Sequence, residues 1–226
     1  MSVALPLFPL NTVLFPGLVL PLNVFEDRYR ALVRHLMDLP DGTPREFGVI
    51  AIHRGEEVAP AAGTRAGAAV TLHSVGCVAS LRQVTEREDG RLDIVAVGGR
   101  RFQITGLEIT DKPYLVADAE ALADEAGDGA DELAPRVLAA LRGYLATLRP
   151  EAELAEQLPD DARLLSYLVA ATAELTVADR QRLLAAPDAA TRLRMELGLL
   201  RRETQLLARV RAVPRPLSHW AVSPLN

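Results

Sequence analysis

The chain opens with four short blocks punctuated by proline: Pro6-Leu7-Phe8-Pro9-Leu10, Leu14-Phe15-Pro16-Gly17, Leu20-Pro21-Leu22 and Phe25-Glu26-Asp27-Arg28-Tyr29. Proline has no backbone N–H, so a strand that contains it lies at a sheet edge or at a bend. The apolar residues of these blocks predict strands over residues 3–8 and 18–24, and their prolines place those strands at sheet edges or at bends. A helix is predicted over 26–39, because apolar residues recur at i, i+3, i+4 and i+7 from Tyr29 to Leu36.

Outward from these blocks, short segments rich in Val, Ile, Leu and Phe continue as far as residue 122. Strands are predicted over 47–53, 70–85, 92–97, 101–109 and 114–121. Glu88-Asp89-Gly90 marks a hairpin, because Asp-Gly tolerates the positive φ of a type I′ turn. Several short strands with turns between them predict a small barrel or rolled sheet over residues 1–122.

The second half of the chain has a helical pattern. Residues 123–130 are small and acidic, which predicts a linker and a flexible joint. Beyond it, a helical bundle is predicted over 131–213 and an extended tail over 214–226. Its helices are predicted over 132–148, 160–174, 177–186 and 188–213. Thr176 and Asp188 are expected to cap two of these helices at their N-termini. The whole chain is therefore predicted to be an α+β protein.

Composition excludes several classes of protein. The chain has 226 residues, of which 49% are hydrophobic and 24% charged, so it can bury a core of its own. One cysteine, Cys77, excludes an internal disulfide and a cysteine-cluster metal site. A net charge of −5 argues against nucleic-acid binding through bulk charge. With no apolar run long enough for a membrane span and no basic leader, we expect a soluble, cytoplasmic protein.

A search for catalytic residues finds no constellation. The only lysine, Lys112, precedes Pro113 and follows no glycine loop, so it cannot form a Walker A motif or a convincing Ser-Lys dyad. There is no Gly-x-Ser-x-Gly elbow. The four histidines are scattered and lack metal-ligand spacing, so we predict no metal, no cofactor and no catalytic residue.

Two further segments could suggest chemistry but have ordinary structural interpretations. Gly98-Gly99-Arg100-Arg101 resembles a phosphate loop only superficially, since it lies between strands; a glycine bulge or turn is the better interpretation. Cys77 lies in an apolar strand and is expected to be a packed, inert thiol.

The opening blocks resemble the N-terminal domain of Lon proteases. Three later blocks agree in order and character: Gly76-Cys77-Val78-Ala79, Val97-Gly98-Gly99-Arg100-Arg101-Phe102-Gln103-Ile104 and Pro113-Tyr114-Leu115-Val116-Ala117. Cys77 stands where the family usually has threonine. The resemblance is strong over residues 5–120 and continues more weakly into the helices.

The resemblance implies a PUA-like rolled barrel followed by a helical bundle that ends in a long helix. It implies recognition of protein substrates for an ATP-driven protease. Since the AAA+ and Ser-Lys protease parts are absent from the sequence, we expect a stand-alone, non-enzymatic module for unfolded or exposed apolar polypeptide. Two alternatives remain open: a small-ligand or RNA-binding module on the same barrel, and a peptidase by kinship.

The junction between barrel and bundle is the expected binding surface, because pockets favour domain junctions. Arginine and aromatic side chains suit it, since they combine wide contact area with hydrogen bonds. The expected residues are Phe25, Arg28, Tyr29, Arg100, Arg101 and Tyr114. Expected partners are unfolded or misfolded polypeptides and a separate protease or chaperone. No membrane partner is expected, nucleic acid is disfavoured, and homo-oligomerisation is left open.

Overall fold

The structure is a computed structural model that describes residues 2–53, 71–148 and 159–212. It contains seven strands and five helices in these ranges. In chain order they are β1 Val3–Leu10, β2 Val19–Val24, α1 Asp27–Met37, β3 Glu46–His53, β4 Thr71–Leu72, β5 Val75–Glu86, β6 Leu92–Glu108, β7 Val116–Ala121, α2 Ala130–Leu148, α3 Ala162–Thr172, α4 Val177–Leu184 and α5 Ala189–Ala212. The tail predicted over 214–226 lies outside the described residues.

The strands form one sheet that rolls up and closes. Their order is β1-β7-β6-β5-β3-β4, and β1 also pairs with β3 in parallel, which joins the two sides of the roll. The other strand pairs are antiparallel. With the five helices, this confirms the predicted α+β class and the rolled sheet.

Strand β2 is an edge strand, as its proline predicted. It pairs with the first half of β6 and with no other described strand. The Gly98 N–H donates to the Leu18 carbonyl at 2.8 Å, which shows which residues of β2 face β6 with their backbone N–H and C=O groups. Because antiparallel hydrogen bonding alternates along a strand, the backbones of Leu20 and Leu22 bond to β6, and the backbone nitrogen of Pro21 faces away from it. The missing N–H of Pro21 therefore leaves no gap in the ladder.

The segments predicted as separate strands over 92–97 and 101–109 are one strand, β6. The register between β5 and β6 shifts between Cys77 and Ala79, which are paired with Arg101 and Gly98. This is the predicted bulge. A side chain at Gly98 would collide with the Phe15 carbonyl, so glycine lets the incoming loop approach β6 closely.

The predicted hairpin joins β5 to β6, but its turn type differs from the prediction. Gly90 has φ +76°, and no residue other than glycine has a positive φ among the described residues. Asp89 therefore lacks the positive φ that a type I′ turn requires. The Gly90 N–H donates to the Arg87 carbonyl, and the Asp89 carboxylate accepts from the Arg91 N–H.

The helices begin where the sequence places their caps. The Thr176 hydroxyl accepts a hydrogen bond from the Asp179 N–H at 3.1 Å, and the Asp188 carboxylate accepts from the Thr191 N–H at 2.7 Å. Helix α5 packs along α2 and α3 around a leucine-rich core. A further apolar cluster joins the two halves of the chain: Phe15 of the barrel lies 6.1 Å from Tyr167 of α3, measured between ring centroids.

The acidic segment over 123–130, predicted as a linker, is hydrogen-bonded to the start of α5. The Ala189 and Ala190 N–H groups, at the start of α5, donate to the carbonyls of Glu125 and Ala126. Gly127 and Gly129 both have positive φ, which lets the chain turn tightly before α2 begins. The segment lies beside the N-terminus of α5, where negative charge is favourable, and its acidic residues suit that position.

Candidate functional site

Three of the six residues expected to bind polypeptide line one groove. The groove has a volume of about 250 Å³ and lies where β1 and β2 end and α1 begins. Phe25, Arg28 and Tyr29 line it together with residues 8–11 and 22–24, Glu26 and Ile52. All of its lining residues belong to the barrel, so it does not lie at the junction with the bundle as expected.

The wall of this groove, which we call the α1 groove, is built from stacked side chains. The Tyr29 ring stacks on Phe8 with 4.1 Å between centroids, and the Arg28 guanidinium lies 4.5 Å from the Tyr29 centroid. Arg28 also forms an ion pair with Glu26 at 2.7 Å. Burial raises the pKa of Tyr29, so its phenol is a neutral group in the wall.

Phe25 is the exposed apolar residue at the mouth of the groove. Its side chain is 63% exposed, whereas Tyr29 beside it is 6% exposed. Phe25 follows β2, whose last residue, Val24, is turned into the core. Since consecutive extended residues point to opposite sides, the fold directs Phe25 outward. The groove therefore combines an apolar mouth with an ion pair on its rim.

Arg100 and Tyr114 lie elsewhere. Arg100 forms an exposed ion pair with Glu46 of β3 at 2.9 Å. Tyr114 is buried in the barrel core, and its ring lies 6.3 Å from that of His35 in the second half of α1. Neither residue lines the α1 groove.

Arg101 is a structural residue, and the expectation that it contacts polypeptide needs correcting. Its side chain is 2% exposed. The guanidinium donates to the carbonyls of Leu184 and Ala186 at the end of α4, and to that of Ala123. Because consecutive residues in a strand point to opposite faces, Arg100 faces solvent while Arg101 faces the bundle. The two arginines are adjacent in the sequence, which gives no sign that one is exposed and the other buried.

A second buried arginine completes the junction, and the sequence analysis missed it. Arg192 is fully buried and donates to the Ser166 hydroxyl at 2.7 Å and the Tyr167 hydroxyl at 3.1 Å. The Asp124 carboxylate lies 3.8 Å from Arg101 and 3.9 Å from Arg192, so one carboxylate serves both arginines. This arrangement fills the place where the binding surface was expected.

One more groove, of about 210 Å³, lies between α4 and α5. Its floor is Met195, Gly198 and Leu199, and its rim carries Asp179 and Arg202. These two charges are paired with each other at 2.8 Å. None of the residues predicted to bind lies there.

Within residues 2–53, 71–148 and 159–212, no helix is long and apolar enough to cross a membrane. The same part of the chain has no cluster of three or more His, Cys, Asp or Glu side chains fit to hold a metal. Cys77 is fully buried, and burial raises the pKa of its thiol to about 12.

Comparison with known proteins identifies the family. Residues 4–202 match the model of the ATP-dependent protease La (LON) substrate-binding domain. The chain therefore belongs to the Lon substrate-binding domain family, as the proline-punctuated blocks predicted. The matched domain is the substrate-binding domain of that protease.

Relatives and solved structures agree with this assignment. The chain is 29% identical over 211 residues to the Lon protease of Anaeromyxobacter dehalogenans and 32% identical over 215 residues to that of Roseiflexus castenholzii. Each alignment covers 90% of this chain and 24% of the relative, so the chain spans about a quarter of these relatives' length.

Two solved structures share the fold. The Lon N-terminal domain protein from Xanthomonas campestris is 26% identical with a TM-score of 0.61, covering 87% of this chain and 98% of that one. The N-terminal domain of the Mycobacterium avium complex Lon protease has a TM-score of 0.65 at 22% identity, covering 88% of this chain and 98% of that one. The latter likeness concerns the fold alone.

Proposed function

We propose that the chain is a non-enzymatic module that binds unfolded polypeptide through exposed apolar segments, and that the α1 groove is its binding surface. Family membership supports a role in substrate recognition. The observation that carries the choice of surface is the exposure of Phe25, 63%, at the mouth of a groove. A large apolar side chain held in water beside a concave surface favours contact with an apolar partner.

The shape and chemistry of the α1 groove fit a side chain of an extended client. A volume of about 250 Å³ holds one or two side chains rather than a folded domain. Tyr29 and Phe8 offer apolar contact at its wall, while the Arg28–Glu26 pair supplies polar groups at the rim. Few fixed polar contacts allow clients of different sequence to bind.

Affinity for any one segment is expected to be on the order of micromolar, because an unfolded client loses chain entropy when it binds. Such a module fits delivery of clients to a protease or chaperone in the cytoplasm. The full-length proteases among its relatives support that role.

The test is titration of a fluorescently labelled, permanently unfolded protein with the purified chain. Phe25→Ala removes the exposed ring, and Val19→Ala is its matched control, since Val19 is 65% exposed on β2 and does not line the groove. We expect Phe25→Ala to weaken binding about fivefold to thirtyfold, which corresponds to about 1–2 kcal/mol, and Val19→Ala to leave it unchanged.

A second matched pair probes the rim. Arg28→Gln removes the groove's guanidinium, whereas Arg100→Gln removes an exposed guanidinium outside it.

Equal binding by Phe25→Ala, Val19→Ala and the wild type would overturn the α1 groove as the surface. Binding of RNA or a small ligand without any binding of unfolded protein would overturn the function.

A further inference from the structure

Two of the chain's four histidines, which are scattered in the sequence, are neighbours in the fold. His53 ends β3 and pairs in register with Thr71 of β4. His73 follows β4, and its N–H donates to the Ala51 carbonyl at 3.0 Å, which continues the same register. His53 and His73 are therefore diagonal neighbours on one face of the β3–β4 pair, within reach of ring contact.

The distance between the two rings suits a shared metal ion. Their centroids are 4.9 Å apart, with an angle of 62° between the ring planes. Two imidazoles bound to one Zn²⁺ with Zn–N distances of about 2.0–2.1 Å have centroids about 5 Å apart. The χ2 torsion of a histidine is soft, so rotation about it changes which atoms of each ring face the other ring.

We propose that His53 and His73 form an open, two-histidine site for a late first-row divalent metal ion such as Zn²⁺, Ni²⁺ or Cu²⁺. Imidazole nitrogen is a preferred ligand of these ions. His53 is exposed, and two histidines leave further coordination positions for water or for donor groups of a bound molecule. The site is independent of the α1 groove function.

The fold distinguishes His53 and His73 from the other described histidine. His35 lies against Tyr114, and no other described histidine is in ring contact with it. It therefore serves as an internal control.

The test is calorimetric titration of the untagged chain with ZnCl₂ and with NiCl₂, together with His53→Gln, His73→Gln, His35→Gln and His219→Gln. We expect one equivalent of metal per chain, weakened at least about tenfold by either His53→Gln or His73→Gln and unchanged by the other two. Ring-proton NMR signals of His53 and His73 should shift together as zinc is added.

Three results would overturn the site. The first is absence of binding up to about 1 mM metal in the wild type. The second is unchanged affinity in both His53→Gln and His73→Gln, with circular dichroism showing that each is folded. The third is an equal loss in His35→Gln or His219→Gln, which would place the metal elsewhere.

Discussion

Arg101 of β6 donates a hydrogen bond to the carbonyl of Leu184, 83 residues later in the chain, at a distance of 2.9 Å. The bond ties the rolled sheet to the end of α4. The same guanidinium donates a hydrogen bond to the carbonyl of Ala123, which lies in the segment that connects β7 to α2. One buried side chain thus fixes the barrel, the connecting segment and the bundle to each other.

Replacing Arg101 should destabilise the whole chain. Arg101→Ala leaves the carbonyls of Leu184, Ala186 and Ala123 without this donor, so we expect a loss of about 3–5 kcal/mol in the free energy of unfolding. Arg100→Ala should cost less than about 1 kcal/mol, because its ion pair is exposed. Urea denaturation measures both. A cost for Arg101→Ala as small as that for Arg100→Ala would contradict the role of Arg101 at the junction.

The two glycines of the connecting segment provide a second comparison. Gly129→Ala meets open space at φ +78° and should cost about 1–2 kcal/mol of backbone strain. Gly127→Ala, at φ +73°, also places a methyl group 2.6 Å from the Asp188 carboxylate that caps α5. Displacing that cap should add about 1 kcal/mol. The midpoint temperature of thermal unfolding should be lower for Gly127→Ala than for Gly129→Ala; the reverse order would contradict the close contact between position 127 and Asp188.

Glu196 should make stability depend on pH. Its carboxyl group is 1% exposed, and neither oxygen accepts a hydrogen bond from the described part of the chain. Burial raises its pKa well above the ordinary 4.5, although Arg192 acts in the opposite direction. The folded state therefore prefers the protonated form, so this group disfavours folding increasingly as pH rises above about 4.5.

Glu196→Gln should remove that pH dependence. Relative to the wild type, we expect the variant to gain about 1–3 kcal/mol at pH 8, with the gain shrinking toward zero as pH falls to 4.5. Urea unfolding at several pH values follows the difference. A gain that grows as pH falls would have the wrong sign and would show that Glu196 is ionised and paired.

Cys77 should be unreactive in the folded protein. The thiol is fully buried, and burial raises its pKa to about 12, so almost no thiolate is present at pH 8. A chromogenic thiol reagent should label Cys77 only after the protein is unfolded in urea. Labelling at the same rate with and without urea would place Cys77 at the surface.

Local patterns in the sequence predict most of the elements. Pro21 indicates an edge strand because a missing N–H must face away from a partner strand, and Thr176 and Asp188 indicate helix starts because their oxygens accept from the first turn. These signals arise from residues that are neighbours in the sequence, so they hold whatever the long-range contacts are.

The errors concern long-range contacts. For residues 123–130, composition predicts a linker but gives no sign of the hydrogen bonds that this segment accepts from Ala189 and Ala190 at the start of α5. Likewise, strand alternation shows that Arg100 and Arg101 face opposite sides, but only the position of α4 reveals which one is buried. His53 and His73 meet only because β3 pairs with β4.

Binding of polypeptide in the α1 groove can be observed by site-specific photo-crosslinking. A photoreactive benzoylphenylalanine is placed at Phe25 in one variant and at Val19 in the other, two positions that are 63% and 65% exposed. Each variant is mixed with an unfolded protein, illuminated and analysed by mass spectrometry. If polypeptide binds in the α1 groove, position 25 crosslinks to the client and position 19 gives few crosslinks or none. Equal crosslinking from both positions, or crosslinking from position 19 alone, would exclude the groove as the binding surface.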